Sequence, residues 1–251
     1  MGGGNANTAN APSSTVSGGT NNFVEGDFSV VSGGRLNSVL GFYSAIGGGD
    51  GHHIEHSASF STVSGGRSNT IHPASEGASI GGGQFNIVNA KNGRVGGGVA
   101  NTAAGALSVV SGGAMNFVQG SYSFVGGGYA NFQKGQFSVI SGGVSNSIAE
   151  ETNGTVVVGG AYNNVKSSGD YASVLGGLGN TALGEGSVVT GGTFNVVGGQ
   201  YSLVGAGDHN NASGTASAVV FGRFNTVSGD ASLAGGVKAT AVRDRAVVLS
   251  L

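Results

Sequence analysis

Ser29-Val30-Val31-Ser32-Gly33-Gly34-Arg35-Leu36-Asn37-Ser38-Val39-Leu40-Gly41-Phe42-Tyr43 is the stretch from which the fold can be read. Small residue and aliphatic alternate over Ser29 to Val31, and the pattern returns over Asn37 to Val39. Alternation with period two over a short run is the signature of a strand with one face buried. Between the two runs stands Gly33-Gly34, and Gly41 follows the second. Glycine reaches positive φ without penalty, so both are read as corners. The stretch therefore describes one coil of two short strands and two bends.

The same coil recurs along the chain. Written as Ser-x-Val-(Ser/Gly)-Gly-Gly-x-x-Asn-x-Val-x-x-Gly, its Asn column falls at Asn7, Asn22, Asn37, Asn69, Asn86, Asn101, Asn116, Asn131, Asn146, Asn163, Asn180, Asn195, Asn210 and Asn225. His52 and Ala239 take that position in two more copies. Most steps are 15 residues, four are 17, and the last is 14. The extra pairs fit after the Asn-x-Val piece, in a turn. Six residues before the column stand Val16, Val31, Ile46, Val63, Ile80 and their equivalents as far as Leu233, all aliphatic and read as inward. Two residues after it stand Val24, Val39, Ile54, Ile71, Val88 and so on, also inward.

A period of this size means stacked repeats, each pairing with its neighbours. The expected fold is all-β: a parallel β-solenoid of about sixteen two-stranded coils with a 15-residue repeat. At the usual strand spacing such a stack is roughly 70 Å long. The repeat domain is expected over 1–236, with 237–251 as a C-terminal cap or neck-like segment. A helical repeat is disfavoured, since each Gly-Gly pair would cost a helix about 1 kcal/mol per glycine.

Composition agrees. There are 53 glycines but 2 prolines, and no Gly-x-y period, which excludes collagen. Charged residues make up 9% and the net charge is −2, so no basic surface for nucleic acid is visible. Cysteine is absent, no apolar run reaches the length of a membrane helix, and the first residues do not read as a signal peptide. The twelve Phe and six Tyr avoid the inward columns. Phe28, Tyr43, Phe60, Tyr122, Phe137, Tyr171 and Tyr201 stand nine before the Asn column and are candidate interface residues. Val30, Val109, Phe124, Val139, Val156, Val188 and Leu203 are read as sharing a strand face with them. An apolar stripe of this kind, over so thin a core, points to side-by-side association of several chains.

The segments Ser29-Val30-Val31-Ser32-Gly33, Ser44-Ala45-Ile46-Gly47-Gly48 and Ser123-Phe124-Val125-Gly126-Gly127 resemble the repeat of YadA-like heads, found in trimeric autotransporter adhesins and in phage tail-fibre-type surface proteins. The resemblance implies a left-handed roll, a homotrimer, a place outside the cell or on a particle surface, and binding to a surface or matrix glycan or protein. It departs from the family in unit length, and no stalk or anchor follows.

Chemistry-bearing residues are few. His52, His53 and His56, with Asp50 and Glu55, form the one dense ionisable cluster and are weak metal candidates, weighed against a solvated loop. Glu150-Glu151 are neighbours whose side chains point apart, unsuited to paired acid–base work. Asn153-Gly154-Thr155 and Asn211-Ala212-Ser213 match glycosylation acceptors. The Asn column is read as a structural ladder. No cofactor is expected, and the chain is read as a non-enzymatic adhesive or structural fibre. The alternatives are a phage or virus fibre segment and an ice-binding solenoid, against which the row Thr8, Phe23, Ser38, His53, Thr70, Ile87 is too irregular.

Overall fold

A computed structural model describes residues 2–250. The chain is all-β, a parallel β-solenoid of about sixteen coils with no helix among the described residues. It divides into two compact units, one running to Gly128 and one starting at Tyr129. In each, the Ser-x-Val strands form one parallel sheet and the Asn-x-Val strands a second. Most strands are two residues long, as at Val30–Val31 and Ser38–Val39. Each pairs with its copy one coil away, Val30 with Ala45 and Ser38 with His53.

Neighbours one coil apart keep equal side chains in register, so each inward column becomes a continuous buried line. Val16, Val31, Ile46 and Val63 from one sheet meet Val24, Val39, Ile54 and Ile71 from the other, all without measurable exposure. No Phe or Tyr ring belongs to this interior among the described residues. The coil is too narrow for a six-membered ring, and aliphatic β-branched side chains fit the pleat.

Several details differ from the sequence reading. The first corner is turned by the second glycine of the pair: Gly34 has φ +86°, and a Cβ there would lie 2.2 Å from the Gly49 carbonyl oxygen. The glycines of the second corner are needed for space alone. Gly26 lacks positive φ, yet a Cβ on it would lie 2.0 Å from the Gly41 oxygen. The left-handed residue of that corner is two places further on, at Phe28 (φ +57°) or Tyr43 (φ +52°). A third left-handed position precedes the Asn column, as at Leu36 (φ +58°). The reason lies in the ladder. Strand N–H groups point to the following coil, Val30 to the Ser44 carbonyl (3.0 Å). At left-handed residues the peptide is reversed and points back, Leu36 to Thr20 (3.0 Å) and Tyr43 to Asp27 (2.9 Å).

The four long coils carry their extra residues between the second strand and the next Ser column, which the registers Ala45–Thr62 and His53–Thr70 locate. These insertions are not wholly exposed: Ala58, Ser75 and Thr152 tuck inside.

Leu233 is not inward. It pairs with Ala218 on the outer side and is half-buried, while Ala234 pairs with Val219 and is buried. The 14-residue last step is absorbed by a register shift between Val219 and Gly222, which moves the inward place one residue on. Nor does the ladder stop at 236. Thr240–Ala241 pairs with Thr226–Val227, and Val247–Ser250 with the strand Leu233–Val237. Residues 237–250 thus continue the coil pattern, whatever capping role they serve; Leu251 lies outside the described residues.

Candidate interaction surface

The Asn column faces the interior, where a polar side chain must be fully bonded. Asn37 Nδ2 donates to the carbonyls of Gly33 (3.0 Å) and Gly49 (3.1 Å). Its Oδ1 accepts the backbone N–H of His52 (3.0 Å), and its own N–H is accepted by Asn22 Oδ1 (3.1 Å). One side chain therefore ties the glycine corner of its own coil to that of the next. The same set recurs at Asn69, Asn86, Asn101, Asn163, Asn180, Asn195, Asn210 and Asn225, the last accepting the Ala239 N–H (2.8 Å). Asn116, Asn131 and Asn146 occupy the same buried place. Asn is suited because it offers two donors and an acceptor in one plane. A second ladder runs along the small column: Ser29 Oγ donates to the Gly41 carbonyl (2.8 Å) and accepts the Ser44 N–H (2.9 Å).

Four buried polar side chains break these patterns: Ser108 and Ser187, whose Oγ atoms find no partner, and two larger ones, His52 and Gln133. His52 stands in the Asn column without measurable exposure. Its Nδ1 accepts the Asn69 N–H (3.1 Å), so Nε2 carries the proton. Nε2 faces the corner that Asn Nδ2 binds in other coils but closes no bond of ordinary geometry. Desolvation holds the imidazole below its usual range. Gln133 occupies an inward place that is Val, Ile or Ala in neighbouring coils. Its Nε2 contacts the Gly135 carbonyl, and its Oε1 has no partner.

The metal candidates are separated by alternation. His52 points in, His53 points out on the strand His53–Ile54, and His56 is exposed in the turn. The solvated-loop reading therefore fails for His52, which is core. Among the described residues no group of three or more His, Cys, Asp or Glu is placed to hold a metal ion. Glu150 pairs with Lys134 (3.4 Å), while Glu151 takes a left-handed turn position. Of the glycosylation matches, Thr155 is buried and donates to Ser138 Oγ (2.8 Å), whereas Asn211 is exposed on a strand.

The aromatic column belongs to the turn and not to a strand face, which separates it from Val30 and its equivalents. Phe28, Tyr43 and Phe60 stack along the coil axis with centroids 4.9 and 5.1 Å apart and planes within 2°. Phe194, His209 and Phe224 form a looser row before the Asn column, with centroids 5.2 and 5.4 Å apart and planes tilted by 51° and 28°. Where a coil offers glycine, the next ring covers it: a Cβ on Gly154 or Gly186 would meet Tyr171 or Tyr201 at 2.8 Å. Ring faces are thus turned to neighbouring coils and the edges face solvent. Tyr122, Phe137, Tyr171 and Tyr201 are likewise exposed corner residues with positive φ. The Tyr201 hydroxyl donates to Glu185 Oε1 (3.0 Å), which raises its ionisation range.

Charges cluster at the rim. Arg35 pairs with Asp50 across one coil step (2.8 Å) and holds its carboxyl below the usual range. Lys91–Glu76 (2.8 Å) does the same elsewhere, and such exposed pairs contribute little. The outer side of the Ser-x-Val sheet differs between units. In the first it mixes Thr15, Val30, Ala45, Thr62, Ser79, Arg94, Val109 and Phe124, with a shallow depression of about 410 Å³ around Ser79 and Arg94. In the second it is richer in aliphatics, with Val139, Val156, Val188 and Leu203 in the strand column and Val158, Leu175 and Val220 beside it each above 40% exposed, interrupted by Ser141, Ser173 and Thr190.

Bonded polar ladders inside, ring edges outside and aliphatic outward columns define a class: a parallel β-solenoid repeat protein, an architecture compatible with a structural, fibre-like role. No family model matches the chain, and no curated protein matches its sequence significantly.

Proposed function

We propose that this protein is a non-enzymatic structural and adhesive fibre element, similar to YadA-like heads, working as a homo-oligomer on the surface of a cell or particle. The observation that carries the reading is the aliphatic outer face of the second unit. Leu175 is 46% exposed and Val220 43% exposed, on a sheet whose polar alternatives would cost nothing in the fold. Repeated exposed aliphatics along one side of a folded chain call for a covering partner, and equal chains laid in parallel cover them most simply. A homotrimer is the form the resemblance supports. Side-by-side copies multiply each weak surface patch, so that avidity replaces strong single-site affinity.

Sedimentation equilibrium tests the association. The native chain is expected to run as an oligomer, and Leu175→Glu with Val220→Glu as a folded monomer. A native chain that stays monomeric at micromolar concentration overturns the oligomer. A glycan and matrix-protein array probed with both forms tests adhesion. Binding by the oligomer, lost in the monomer, supports the reading; no binding by either removes the adhesive part.

A further inference from the structure

We propose that the coil carrying His52 is an acid-triggered opening point of the solenoid, at which protonation of one buried imidazole breaks the Asn ladder between Asn37 and Asn69. The geometry is specific. Fourteen positions of the column are Asn, one is Ala239, and His52 alone can titrate near neutral pH. It is buried without measurable exposure, and its Nδ1 lone pair receives the Asn69 N–H. A proton on Nδ1 would set two donors against each other and leave a charge in a fully buried place between Asn37 and Asn69. An Asn in the same place has neither liability. The orphaned Nε2 makes this the least satisfied step of the ladder even when neutral.

The groups around the ring do not rescue the cation. From the same coil, Asp50 favours the charged form, but its carboxylate is bound to Arg35 of the preceding coil, and Arg67 of the following one also acts on it. His53, from the outward side, opposes protonation. Desolvation is the largest influence on the ring; the backbone of Gly66 and of Asn69 favours the charged form but does not outweigh it, and Asn37 brings no charge. At the rim, His72 Nδ1 lies 3.2 Å from Glu55 Oε1. The pair is more than a third exposed and correspondingly weak.

The sign follows from the depressed value in the folded state. The contribution of neutral His52 is fully present above the ordinary histidine value of about 6.5. It is lost as pH falls from there through the lower folded value. The stacked geometry confines the effect, since each coil bonds only to its neighbours.

Hydrogen exchange of the intact protein, corrected for intrinsic rate, tests this between pH 7.5 and 5. Peptides covering residues 37–72 are expected to lose at least tenfold protection in the native chain, while those covering 86–110 hold theirs. His52→Asn, which installs the column's own residue, should abolish the loss. A variant with His53, His56 and His72 all changed to Asn should keep it. Unchanged protection in the native chain, or an equal loss in His52→Asn, overturns the proposal. The inference does not depend on the adhesive reading.

Discussion

At the scale of the residue, a buried polar side chain stabilises the coil where every one of its atoms is bonded. Gln133 fails this test, with Oε1 orphaned in a column of aliphatics. Gln133→Val fits that column and removes the stranded acceptor. An unsatisfied buried group costs roughly 1–3 kcal/mol, so the variant is expected to melt at a higher temperature than the native chain, as differential scanning calorimetry would read. Asn101 stands at the opposite extreme. Asn101→Ala strands the Gly97 carbonyl and the Asn116 N–H and leaves the Gly113 carbonyl with the Val99 N–H alone. A loss of roughly 2–5 kcal/mol is expected from two stranded groups and one lost bond, seen as a lower urea midpoint. The Asn column was legible because it repeats. The roles of His52 and Gln133 were not, since one copy of a residue carries no period. Only pairing each position with its neighbour one coil away exposes them as departures.

At the scale of the element, the corners hold the surprise. Alternation and glycine placed the strands correctly, because two-residue strands with an inward aliphatic leave no other face to bury. The left-handed conformation was not legible in composition: the Phe28 and Tyr43 column is marked by rings and not by glycine, and the Leu36 column ranges from Asn21 to Met115. What selects the conformation is the reversed peptide that must bond the preceding coil. Two substitutions separate strain from stacking. Leu36→Gly relieves a left-handed Cβ, worth roughly 1 kcal/mol, partly offset by greater freedom of the unfolded chain. It should leave the melting temperature level or raised. Tyr43→Gly gains the same relief but loses two stacked partners, Phe28 and Phe60. At about 0.5–1.5 kcal/mol per ring pair, the net change is a lower melting temperature. If both variants melt alike, the ring column adds nothing to the stack.

At the scale of the whole molecule, register governs everything, because a slip of one residue exchanges inner and outer faces. The chain contains a natural example: the final 14-residue step moves the inward place from the Leu233 position to Ala234, and a register shift beside Gly222 absorbs it. That accommodation relies on a neighbouring glycine, Gly236, and on a small inward residue. Elsewhere no such slack exists. Deleting residues 87–101 joins Asn86 to Thr102, so the coil closes with its Asn, outward Thr and inward Ala103 in place. The product should fold with one coil fewer and a melting temperature close to that of the native chain, as expected where stability is a sum over nearest neighbours. Deleting residues 87–100 instead joins Asn86 to Asn101, which turns Thr102 inward and Ala103 outward and misaligns the ladder through Asn116. Circular dichroism and limited proteolysis of the two purified variants would compare them directly. The 15-residue deletion should keep native β signal and resist cleavage, and the 14-residue deletion should lose both in the first unit. Equal behaviour of the two would mean that the coils choose their register from something other than the inward columns.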